Sequence, residues 1–127
     1  MPRLFALAAT AAIGLTAVAH GQFGQSSTGK TIAVGVGKRA TISLASNPST
    51  GYHWVVVTRP DTHVAKLVAS RYVAPANGAP PIVGAPGKQV YVIRGLHSGT
   101  TRFAAHYVAP GRTAKIGKRF AVRIRVR

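Results

Sequence analysis

The last nine residues alternate almost without a break. Phe120, Val122, Ile124 and Val126 hold the even positions, while Arg119, Arg123, Arg125 and Arg127 hold odd ones, with Ala121 between them. Side chains two apart share a face of an extended chain, so this run predicts a strand with one buried and one charged face. The same period recurs upstream. Ala40, Ile42 and Leu44 alternate with Thr41, Ser43 and Ala45, and Tyr52, Trp54 and Val56 share a face. Nowhere does a 3.6-residue period persist for three turns, so helices longer than a single turn are not expected. A chain patterned this way must bury its apolar residues by pairing strands.

Strands are predicted at about residues 31–36, 40–46, 52–58, within 63–73, and at 89–94, 101–108 and 119–126. Residues 74–87 carry four prolines and three glycines, which bars a central strand and makes this stretch a long loop. Short strands without intervening helices imply an immunoglobulin-like antiparallel β-sandwich of seven to eight short strands. Only the architecture is meant, because the chain contains no cysteine and so lacks the Cys…Trp…Cys pattern of antibody domains. The absence of cysteine also excludes disulfides, thiolate metal sites and a cysteine nucleophile. A single domain is expected, since 127 residues suffice to close one core without such staples.

The start of the chain reads as an export signal. Met1, Pro2 and Arg3 form a one-charge leader, residues 4–15 are apolar and alanine-rich, and Ala17-Val18-Ala19 is a small-residue cleavage pattern. The apolar run is too short to argue as a membrane span. The division is therefore a cleaved signal over residues 1–19, a flexible linker over 20–30 and a sandwich domain over 31–127, in an exported protein that is periplasmic or secreted. A cut after Gly21 is the alternative to one after Ala19.

Charge narrows the partners. Seventeen Lys and Arg face one acidic residue, Asp61, for a formal net charge of +16. Such a surface repels copies of itself, suits a monomer and attracts polyanions without sequence preference. A specific nucleic-acid role has no support, because no recognition helix, zinc finger or aromatic RNA-binding pattern accompanies the charge.

Catalytic motifs are weak. Residues 24–31 match the phosphate-loop pattern G-x-x-x-x-G-K-[ST], but a signal precedes them and the β-prone run 32–36 follows, where that motif needs a strand and then a helix. With no glutamate and one aspartate, paired-carboxylate catalysis cannot be built. A Ser-His-Asp triad would have to run through Asp61, which follows Pro60 in an apparent turn, and no serine sits in a nucleophile elbow. The five histidines lack metal-ligand spacing. No enzyme, cofactor or metal is therefore expected.

Residues 47–54 stand apart. Asn47, Pro48, Ser49, Thr50, Gly51, Tyr52, His53 and Trp54 open as an Asn-Pro turn, expose two hydroxyl residues and a glycine, and enter a strand whose first same-face residues are aromatic. This segment resembles the signature loop of the chagasin-like inhibitors of papain-type cysteine proteases, Asn-Pro-[Ser/Thr]-Thr-Gly-[Tyr/Phe]-x-Trp, and matches it at every position. A second, glycine-rich loop before a strand is similar to Gly84, Ala85, Pro86 and Gly87. A third usually reads Arg-Pro-Trp after a tyrosine-ending strand; here Tyr107 and Val108 lead into Ala109, Pro110 and Gly111, which keep the proline and lack the arginine and tryptophan. The resemblance implies a sandwich whose three loops form a wedge at one end that reversibly occludes the cleft of a papain-family protease, with the backbone at Thr50 nearest the catalytic cysteine. The competing reading is an envelope protein that binds anionic polymers through its Lys/Arg surface.

If residues 1–19 are an export signal, intact-mass measurement on protein recovered from a secreting host will give a chain beginning at His20 or Gln22. Retention of residues 1–19 in the soluble form would contradict it.

Overall fold

A computed structural model describes residues 20–75, 87–111 and 115–127. Eight strands lie within them: β1 (His20–Phe23), β2 (Thr31–Val34), β3 (Arg39–Ser46), β4 (His53–Thr58), β5 (Ala65–Val73), β6 (Gly87–Gly95), β7 (Gly99–Val108) and β8 (Ile116–Val126). They form two four-stranded sheets, ordered β1-β3-β6-β5 and β2-β8-β7-β4, packed face to face as an immunoglobulin-like sandwich.

The alternation in the sequence becomes the core. Phe120, Val122, Ile124 and Val126 of β8 are buried while Arg119, Arg123, Arg125 and Arg127 are exposed. Ala40, Ile42 and Leu44 of β3 point inward from the other sheet, and their burial is complete. The Tyr91 ring of β6 meets the Phe103 ring of β7 at 5.0 Å, and Phe103 meets Phe120 at 6.4 Å, so an aromatic chain links the two sheets. Burial pushes the Tyr91 phenol up to about 12, which keeps it neutral inside the core.

The sheets differ from an all-antiparallel arrangement. β1 pairs with β3 and β2 pairs with β8, both in parallel, while the remaining ladders are antiparallel. The chain crosses between the sheets after β1 and again after β2, so neither strand can form a hairpin with its successor, and each is added to a sheet edge. The second crossing is tight. Val36 bridges Gly95, Gly37 N–H donates to the Gly95 carbonyl at 2.8 Å, and a Cβ on Gly95 would stand 2.5 Å from the Gly35 carbonyl oxygen.

Residues 20–30 are not a loose linker. Residues 20–23 form β1, in register with Arg39 to Ile42, and a 3-10 turn spans Gln25–Ser27. Phe23 is the reason, since it packs against the core from the edge of the first sheet. The phosphate-loop-like stretch is absorbed by the same path. Gly29 N–H donates to the Ala121 carbonyl at 2.7 Å and Ala121 N–H returns a bond to Thr28 Oγ1 at 3.1 Å, leading the chain into β2 rather than into a helix.

The strand expected within residues 63–73 is present as β5, and β7 and β8 begin two and three residues earlier than their patterning suggests, at Gly99 and Ile116. The signal segment 1–19 and the second-loop residues Gly84, Ala85 and Pro86 lie outside the described residues.

Candidate functional site

β3 ends at Ser46 in one sheet and β4 begins at His53 in the other, so residues 47–52 must arch over one end of the sandwich. Pro48–Thr50 make this arch as one 3-10 turn. Thr50 N–H donates to the Asn47 carbonyl at 3.1 Å and Gly51 N–H to the Pro48 carbonyl at 2.9 Å. Proline at the first position suits such a turn, because the N–H it lacks would have had no partner within the turn. Gly51 closes it in the left-handed region at φ +84°, where a side chain would be strained.

Side chains brace the arch from within. Thr50 Oγ1 donates to the Asn47 carbonyl at 2.7 Å and accepts from Tyr52 N–H at 3.3 Å, while Ser49 Oγ donates to Asn47 Oδ1 at 2.5 Å. Ser49, Thr50 and Gly51 are nevertheless exposed, so the tip is shaped by its own chain and presented outward.

Three aromatic rings hold the base. Tyr107 of β7 stands opposite Trp54 of β4 in the ladder, and its ring lies 5.0 Å from Trp54 and 5.2 Å from Tyr52. Its hydroxyl accepts the Asn47 N–H at 2.9 Å. Trp54, only 7% exposed, donates its indole N–H to the Ala45 carbonyl at 3.0 Å. Two hydrogen bonds from rings seated on the second sheet thus clamp the end of β3 in the first. Tyr52 in turn packs on Gly117, whose absent Cβ would stand 3.0 Å from Tyr52 Cε2, and Lys118 Nζ sits 5.7 Å from the Tyr107 ring centroid.

The third loop touches the first. A Cβ on Gly51 would stand 2.9 Å from Pro110 Cγ, so the retained proline is a buttress beneath the turn. Ala109 N–H donates to the Lys115 carbonyl at 2.9 Å, and Gly111 adopts φ +109°. A tryptophan at position 111 would be strained on this backbone. The second loop arrives at the same end, because Ser46 pairs with Gly87 and Val73 with Lys88. Gly87 itself opens β6 as a buried strand residue against the Val73 carbonyl and the Tyr72 hydroxyl, so it is the base of that loop and not part of its tip. Tyr107 was legible only as the residue before the third loop, and Gly117 and Lys118 carried no signal, because their roles arise from a neighbouring strand.

The acidic residue of the chain, Asp61, is not at this end but at the opposite one, where its carbonyl accepts Val64 N–H and Ala65 N–H at 2.8 and 2.9 Å. Its carboxylate is held below its ordinary range by the His63 backbone N–H and then by the His63 side chain. It caps a turn. Among the described residues no three His, Cys, Asp or Glu side chains cluster closely enough to hold a metal ion.

The described ends of three connections meet at one end of the sandwich, the kind of scaffold end on which binding loops are carried. The chain belongs to the chagasin family of peptidase inhibitors (I42), whose family model matches residues 33–126. Members of that family inhibit peptidases and are not enzymes. Among solved structures the chain is similar to the cysteine protease inhibitor EhICP2 from Entamoeba histolytica, at 23% identity and a TM-score of 0.72, over 86% of this chain and 96% of that one. It is also similar to amebosin, at 27% identity and a TM-score of 0.63 over 86% and 98% of the two chains. PbICP-C, solved in complex with falcipain-2, shares the fold at 17% identity and a TM-score of 0.54 over 87% and 92%. No curated protein sequence matches significantly. Family and neighbours together support cysteine protease inhibition.

Trp54→Ala removes a large buried aromatic and the indole bond to Ala45, and is expected to cost about 3–5 kcal/mol. Denaturant midpoints of the two proteins check this; near-identical values would mean that Trp54 does not clamp the arch.

Proposed function

We propose that this protein is a reversible inhibitor of papain-family cysteine proteases that fills the substrate cleft with the three-loop end of the sandwich. The observation that carries it is the state of the arch at residues 47–52. Its backbone is closed by its own hydrogen bonds and clamped by Tyr107, Trp54 and Pro110, while Ser49, Thr50 and Gly51 face solvent. A tip shaped before contact spends little conformational entropy on binding, so its contacts go largely into affinity. The tip offers neutral hydroxyls and backbone and no reactive group, so association is non-covalent. The first and third loops enter together because Pro110 packs on Gly51, and the second loop leaves the sandwich beside Ser46 to meet one wall of the cleft.

The same reading includes export to the periplasm or beyond. Of the two cuts, the one after Ala19 leaves β1 whole, whereas a cut after Gly21 removes two of its four residues. Loss of half that strand would expose the edge of β3, so Ala19 is the proposed site.

The test is titration of the domain 20–127 against papain, with Ser49→Arg and Thr50→Arg as tip variants. Gly51 is unsuitable, because any side chain there meets Pro110 and a strained φ. Wild type is expected to inhibit, and each variant to weaken inhibition by at least about 2 kcal/mol, the scale of an interface hot spot, with little change in melting temperature. Failure of the wild type against several papain-like proteases, or full inhibition by both variants, would overturn the proposal.

A further inference from the structure

The outer face of the β2-β8-β7-β4 sheet carries charge that the inhibitor function does not use. Arg102 of β7 stands directly opposite Arg123 of β8, and Thr31 of β2 flanks Arg123 on its other side. Like charges directly opposed across a ladder destabilise it. The sole ion pair among the described residues joins Asp61 to His63, so nothing there offsets Arg102 and Arg123. One row nearer the loops Ala104 stands opposite Ala121, with Gly29 bonded beyond Ala121 and Thr58 beyond Ala104. The next row outward pairs His106 with Arg119.

These rows make a trough. Lys30, Thr31, Thr58, Arg102 and Arg123 stand around the floor of Ala104 and Ala121, lining an open depression of about 410 Å³, much larger than a single inorganic ion needs. Arg119 lies four residues from Arg123 along β8, about 13 Å at the rise of an extended strand, so cations continue along the sheet face beyond the trough.

We infer that this trough binds a linear anionic polysaccharide, with carboxylate or sulfate groups held by Arg102 and Arg123. Guanidinium forks match such groups bidentately, and an anion between two opposed arginines turns their repulsion into attraction. A single-stranded nucleic acid would call for aromatic stacking platforms, and the one aromatic residue beside the trough, Phe103, is fully buried beneath it. The trough lies on a sheet face and the wedge at one end, so a molecule held on a glycan keeps its wedge free. The polymer thereby concentrates the inhibitor without competing for its site.

The probe is a heparin octasaccharide, titrated calorimetrically at 150 mM salt against the domain 20–127. Arg102→Ser/Arg123→Ser removes the trough pair. Arg39→Ser/Arg94→Ser removes an equal charge from another opposed pair, on the outer face of the β1-β3-β6-β5 sheet. The trough variant should lose at least tenfold in affinity, the control less than threefold, and both should inhibit papain as wild type does. The octasaccharide should raise the melting temperature of wild type and control alone. Equal losses in the two variants would show diffuse attraction and overturn the site. So would absent binding by wild type, or tighter binding of oligo-dT or phosphatidylglycerol vesicles with the same dependence on Arg102 and Arg123. If the double variant does not fold, Ala121→Glu, at an exposed floor position, should produce the same tenfold loss, and its absence would be equally decisive.

Discussion

The contact on which the functional end depends is the seat of Tyr107 between Tyr52 and Trp54. One ring packs on two others at 5.2 and 5.0 Å, and its hydroxyl takes the N–H of Asn47, which starts the arch. Offset aromatic contacts favour particular geometries, and a buried tyrosine hydroxyl seeks a partner, so this arrangement fixes position as well as supplying burial. Trp54 adds a second hydrogen bond, to Ala45, on the far side of the same crossing. The two sheets are thereby tied together where the chain passes between them, and the arch stands on that tie. Pro110 then supports Gly51 from beneath, joining the third loop to the first. Shape at the tip is thus a property of the core, which lets three consecutive small or hydroxyl residues hold one conformation without a disulfide.

Charge follows a separate logic. The buried faces of β3, β6, β7 and β8 are apolar apart from Ser46 and Thr101, whereas the outer faces carry opposed cations, Arg39 against Arg94 and Arg102 against Arg123. Each opposition costs some stability, and a core closed by Tyr91, Phe103 and Phe120 absorbs it.

Strand positions were legible wherever one face was apolar and the other polar. β8 and β3 follow directly from period-two alternation, and the segment from Asn47 to Trp54 was legible as a shaped loop because proline, glycine and two same-face aromatics each limit the backbone in a known way. β1 was not, because its inward positions are Gly21 and Phe23, and one large apolar residue among Gln, Gly and Ser is no period at all. Parallel pairing was hidden for a different reason: it depends on which sheet edge is vacant after the others have paired, a global property. Gly87 belongs to a strand because of what Tyr72 and Val73 place beside it, and Gly117 matters only as the floor for Tyr52. These are contacts between positions far apart in the chain, which local pattern cannot carry.

The central claim is that the arch is formed before any protease arrives. Amide hydrogen exchange of Thr50 and Gly51 in the free domain tests it most directly, since these N–H groups close the turn onto Asn47 and Pro48. The account predicts exchange well below the rate of an unstructured chain for both amides, and a return toward that rate in Tyr107→Phe, which removes the hydroxyl that accepts the Asn47 N–H. Exchange at unstructured rates in the wild type would contradict it, because the wedge would then have to be ordered by its target.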